Sequence, residues 1–104
     1  MLCYIIKKMQ NPFGQILTAM VTPFKDDLSI DYEACEKLVS HLIKTGTDSI
    51  VVAGTTGESP TLMHEEEFEL CKFVKKTVNG KAKIVLSTGS NCTRTAVEYT
   101  KKAN

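Results

Sequence analysis

Three short runs rich in apolar and β-branched residues recur along the chain: Ile16 to Val21, Ser49 to Ala53 and Lys83 to Leu86. Each predicts a strand that is apolar on both faces, as in a parallel sheet covered by helices. Helical periodicity fills the intervals. Over residues 31–45, Ala34, Cys35, Leu38, Val39, Leu42 and Ile43 share one stripe, with Asp31 placed as an N-cap and Gly46 as a left-handed terminator. Over 64–78, Leu70, Cys71, Val74 and Val78 align, and Asn79-Gly80 ends the pattern. A weaker stripe of Ala96, Val97 and Ala103 predicts a third helix over 92–103.

Leu17 to Ile50 is 33 residues and Ile50 to Ile84 is 34, close to the length of one strand-helix unit, about 30 residues or more. The pattern predicts an α/β chain of three parallel strands with right-handed crossovers. Periodicity alone leaves a barrel and a doubly wound sheet both open. In either, the strands end at one edge, in Thr22-Pro23, Gly54-Thr55-Thr56-Gly57-Glu58 and Ser87-Thr88-Gly89-Ser90-Asn91. That edge is where such folds bind ligands.

Composition narrows the function classes. Thirteen basic against 12 acidic side chains give a net charge of +1, so no global field draws the chain to nucleic acid or an anionic membrane. No run approaches the roughly 18 apolar residues of a membrane span. The opening Met1-Leu2-Cys3-Tyr4-Ile5-Ile6-Lys7-Lys8 places its charges after the apolar residues, the reverse of a signal peptide. Cysteines 3, 35, 71 and 92 lack the spacing of a zinc ribbon or redox pair and are expected as reduced thiols in a cytoplasmic protein.

The loop Gly54-Thr55-Thr56-Gly57-Glu58 carries the most chemical information. Its glycines let the backbone approach a ligand, and its threonines add hydroxyls that donate as well as accept. Such a loop at a strand mouth suits a small carboxylate or phosphate, although a polar turn that satisfies its own backbone fits the same five residues. Neither a P-loop lysine nor a G-x-G-x-x-G fingerprint is present. His64-Glu65-Glu66-Glu67 has no second histidine four residues on, so it reads as an exposed first helical turn favoured by the dipole, not as a metal site. His41 falls off its helix's apolar stripe, and Tyr4, Tyr32 and Tyr99 read as packing residues.

Three segments in order go further. Thr18-Ala19-Met20-Val21-Thr22-Pro23-Phe24 resembles the first-strand signature of the dihydrodipicolinate synthase and N-acetylneuraminate lyase superfamily. Val52-Ala53-Gly54-Thr55-Thr56-Gly57-Glu58-Ser59, followed by Thr61-Leu62 and His64-Glu65, is similar to its second-strand motif in the synthase form. Ser87-Thr88-Gly89-Ser90-Asn91 resembles its third-strand loop, with Ser87 where glycine is common. The likeness runs from about Phe13 to the end, so residues 1–12 are expected as an extension and 13–104 as the first three units of a (β/α)8 barrel of about 250 residues.

The resemblance implies an enzyme that condenses pyruvate with aspartate semialdehyde in lysine biosynthesis. It works without a cofactor or metal, through a Schiff base on a sixth-strand lysine that would lie beyond Asn104. The position of Thr55 implies a proton-relay hydroxyl, and Thr56, with Gly54 and Gly57, a pocket for the pyruvate carboxylate. A homo-oligomer is implied as well. Lysine-sensitive relatives bind that effector through positions matching Ser59, His64, Glu67, Asn91 and Thr95. Here Glu67 stands for a histidine and Thr95 for a glutamate, so weak lysine inhibition is expected, with Glu67 the one acid at hand as a substitute. Sister aldolases acting on 2-keto-3-deoxy sugar acids or neuraminate, and a non-catalytic fragment pairing through its strand edges, remain alternatives.

Overall fold

The computed structural model describes residues 11–104. The expected extension over residues 1–12, with Cys3 and Tyr4, therefore lies outside the described residues except at Asn11 and Pro12. The elements alternate: β1 (Leu17–Ala19), α1 (Tyr32–Lys44), β2 (Ser49–Val52), a 3₁₀ turn (Ser59–Thr61), α2 (His64–Val78), β3 (Lys83–Leu86) and α3 (Thr93–Ala103). The strands are parallel in the order β1-β2-β3, with Thr18 opposite Ile50 and Ile50 opposite Ile84.

Local chemistry sets the element ends. Asp31 caps α1 by accepting the N–H of Ala34 at 2.9 Å. Gly46, at φ +101, closes that helix while the Thr47 N–H returns to the Leu42 carbonyl at 3.1 Å. At the start of α2, Glu66 accepts the Met63 N–H at 2.8 Å, one half of a capping box. Left-handed Asn79 and Gly80 then stop α2.

Two sequence expectations shift. The first strand is shorter than 16–21, and β2 ends before Ala53, because Ala53 adopts φ 53 while wholly buried. Only β2 is enclosed on both faces: Ser49, Ile50 and Val52 are fully buried, whereas Leu17 of β1 is 43% exposed and β3 is half-buried. The reason is position in the sheet. Among the described residues β1 and β3 each have one strand neighbour, whereas α2 packs on β2 and β3, with α1 against α2. Met20, Cys35, Val39, Ile50, Val52, Leu70, Val74 and Val78 make up most of the core.

At the opposite end of the strands from the loops, Asp48 accepts the N–H groups of Gln15 and Ile16 at 2.8 and 2.9 Å. Those bonds, Ile16's first, hold its carboxyl below the usual carboxylate range. Gly14, at φ +83, fits against this carboxylate, and any Cβ there would fall 2.3 Å from the Asp48 Cβ.

The three described thiols differ in setting. Burial raises Cys35 to about 11 and also raises Cys71, whereas the backbone and hydroxyl of Thr95 lower exposed Cys92.

The outer edges of β1 and β3, together with exposed Ile16, Leu17 and Val21, leave an adhesive surface on the 104-residue chain. By itself this chain should sediment as dimers or larger species. A monomer with a cooperative thermal transition would contradict that expectation.

Candidate active site

The carboxyl ends of β2 and β3 open onto a cleft of about 580 Å³. Gly54 and Thr55 from the β2 loop form one wall, with Ser59 and Pro60 of the 3₁₀ turn beside them. Ser87, Gly89, Ser90 and Asn91 form another, and His64 and Glu67 of α2 complete the lining. Of the residues expected at the site, Gly54, Thr55, Ser59, His64 and Asn91 therefore meet in one cleft. Thr56 and Gly57 lie outside its lining: Thr56 is exposed and Gly57 is buried behind the loop.

The loop is held open by left-handed backbone at both ends, at Ala53 (φ 53) and Glu58 (φ 57). Such conformations at residues other than glycine cost about 1–2 kcal/mol each and persist where the surroundings over-determine them. Two bonds close the loop's base, from the Glu58 N–H to Thr55 O at 3.1 Å and from the Ser59 N–H to Gly54 O at 3.3 Å. Among the described residues, the N–H groups of Gly54, Thr55, Thr56 and Gly57 and both threonine hydroxyls meet no acceptor. The loop thus satisfies part of its own backbone, as the alternative of a polar turn expects, and leaves these donors over. Unpaired donors of this kind in a turn suit an anion.

The first turn of α2 corrects an expectation. Glu65 is exposed as foreseen, but Glu67 is only 7% exposed. The Ser59 hydroxyl donates to Glu67 Oε1 at 2.5 Å, and His64 Nδ1 lies 3.3 Å from Oε2. A carboxylate inside the protein needs such partners. Helical spacing carried the signal: Glu67 precedes Leu70 and Cys71 by three and four residues and shares their inward face. The His64 ring also packs 3.7 Å, centroid to centroid, from Tyr99, which leans on Phe68 at 5.8 Å. Tyr99 is thus a packing residue, although its buried hydroxyl has no partner among the described residues. Thr95 faces a smaller hollow with His64, Glu98, Tyr99 and Lys102, not the main cleft.

Parallel strand-helix units whose loops gather at the carboxyl edge of the sheet define the α/β class, in which that edge is where ligands bind. The chain belongs to the dihydrodipicolinate synthetase family, whose sequence profile matches residues 12–104. It is 57% identical over 93 residues to the 4-hydroxy-tetrahydrodipicolinate synthase of Synechocystis sp., covering 89% of this chain and 31% of that protein. Among solved structures, the lysine-bound dihydrodipicolinate synthase of Cyanidioschyzon merolae superposes with a TM-score of 0.82 at 49% identity, over 88% of this chain and 31% of that one. The pyruvate complex of the Acinetobacter baumannii enzyme gives 0.84 at 42% identity, again over 88% and 31%. The chain thus spans just under a third of the length of these relatives. This match resolves the choice that periodicity left open: the three units are the N-terminal part of a (β/α)8 barrel and not of a doubly wound sheet.

Removing the buried acid should be felt locally. In the complete protein, Glu67→Ala should lower stability by about 1–3 kcal/mol, because the Ser59 hydroxyl and His64 lose their shared acceptor. Glu67→Gln, which keeps an acceptor oxygen, should cost less. Urea unfolding of both variants checks the order.

Proposed function

We propose that this chain is the N-terminal portion of a dihydrodipicolinate synthase, which condenses pyruvate with aspartate semialdehyde on the route to lysine. The observation that carries this reading is the β2 loop, with four backbone N–H groups and two hydroxyls unpaired within the described chain. The pyruvate complex of the Acinetobacter baumannii relative supports pyruvate as the anion, and the 57% identity to a synthase supports aspartate semialdehyde over a sugar acid as the second substrate.

In this reading the loop amides and the Thr56 hydroxyl hold the pyruvate carboxylate, which fixes the keto carbon for attack. Thr55, on the cleft wall, passes a proton between stronger partners, since an alcohol is too weak an acid or base to act alone. No lysine lines the cleft among the described residues. In this reading the Schiff-base lysine comes from the part of the family's length that this chain does not span, and the reaction uses no separate cofactor. The complete enzyme is a cytoplasmic homo-oligomer in which residues 13–104 form the first three barrel units.

Kinetics on the complete enzyme test these roles. Thr55→Val should lower kcat about a hundredfold with little change in the KM for pyruvate. Thr56→Val, which deletes a hydrogen bond to a charged group, should raise that KM roughly tenfold or more. The reverse pattern would overturn the assignment.

A relative, the Cyanidioschyzon merolae enzyme, is seen with lysine bound, and in this reading the effector lies on the far side of the cleft, at Ser59, His64 and Asn91. Here Ser59 and His64 already engage both oxygens of Glu67, so an incoming ammonium group would have to share them. Thr95 brings no charge in the place of a glutamate. Lysine titrated at fixed pyruvate should therefore inhibit only above concentrations on the order of a millimolar. Strong inhibition well below that would mean that Glu67 gives way to the effector.

A further inference from the structure

We propose that Thr22 is a positioning residue for the Gly54–Gly57 loop, its buried hydroxyl fixing the far end of the donor array that takes the substrate carboxylate. The inference rests on the carboxylate reading above and deepens it. Thr22 stands just past β1, 4% exposed, and donates to the Gly57 carbonyl at 2.7 Å across 35 positions of sequence. The same stretch presses on Gly57 from a second side, since a Cβ added there would sit 3.1 Å from the Met20 carbonyl. Met20 is itself tied to the sheet, its N–H donating to Val51 O at 3.1 Å. The end of β1 thus holds one peptide of the loop with a hydrogen bond and leaves no room for a side chain at Gly57.

That peptide matters because the loop has few other restraints. Its base is closed at Gly54, Thr55, Glu58 and Ser59, but Thr56 and Gly57 make no backbone hydrogen bond through their own N–H groups among the described residues. The Thr22 hydroxyl is the side-chain contact that locates them. It lines neither of the clefts described above, so its influence passes through the Gly57–Glu58 peptide and the Glu58 N–H bond to Thr55 O into the loop. Removing the hydroxyl while keeping the side chain's volume leaves a buried carbonyl unpartnered. The Gly57–Glu58 peptide then rotates to find another donor, which disturbs the Glu58 N–H bond to Thr55 O and shifts the Thr55-Thr56 turn that this bond closes.

The test measures pyruvate kinetics and thermal midpoints on the complete enzyme for Thr22→Val, Thr22→Ser and Thr56→Val in parallel. Thr22→Val should raise the KM for pyruvate about tenfold and leave kcat within about twofold, since misplaced positioning groups weaken binding geometry. Thr22→Ser keeps the donor and should stay within about twofold of the parent in both constants. If Thr22→Val does not fold, Thr22→Ala carries the same expectation for KM. A lowered thermal midpoint with unchanged pyruvate KM, or a serine variant as impaired as the valine one, overturns the proposal and makes Thr22 a packing residue. If Thr56→Val raises KM while the Thr22 variants do not, only the positioning role fails. If none of the variants moves KM, the carboxylate reading of the loop falls, and this inference with it.

Discussion

Ala53 is where the sheet has to stop. It is wholly buried, yet its backbone is left-handed at φ 53, so β2 cannot extend its ladder past Val52. The chain turns there, and the N–H groups of the four residues that follow join no ladder among the described residues. A right-handed or extended Ala53 would carry those groups on along the strand direction. The conformation is disfavoured by about 1–2 kcal/mol, and the enclosing core and the bonds at Gly54 and Gly57 hold it in place.

The neighbouring turn follows a different rule. Three consecutive glutamates open α2, where the helix dipole favours negative charge. They divide the work by geometry: Glu66 returns to the Met63 N–H, Glu65 faces solvent, and Glu67 turns inward to Ser59 and His64. An acid run that looks uniform therefore holds a cap, a surface charge and a buried acceptor. The last of these links the 3₁₀ turn to α2 and so fixes the back of the cleft relative to the loop.

Much of this was legible in the sequence. The near-constant interval between Leu17, Ile50 and Ile84 anticipated three parallel units, and Asp31, Gly46 and Asn79 marked helix ends that the backbone bears out. The Gly-Thr-Thr-Gly loop was visible because its residue types have few uses at a strand end. What stayed hidden depended on distance along the chain or on neighbours. Ile16 to Val21 reads as one strand, but an edge position shortens it to three residues. The inward turn of Glu67 was hidden by its acidic neighbours, although its spacing from Leu70 and Val74 recorded it. The contact of Thr22 with Gly57 spans 35 positions, and no local pattern reports such a pairing.

The three described thiols have a further consequence for handling the molecule. Thiolate, not thiol, is the reacting form, so exposed Cys92 and enclosed Cys35 stand at opposite ends of a reactivity scale built into one chain. A reagent read out site by site would see exposed Cys92 in the folded protein and Cys35 only when the core around it has come apart. The chain thus carries its own unfolding gauge, with an internal standard.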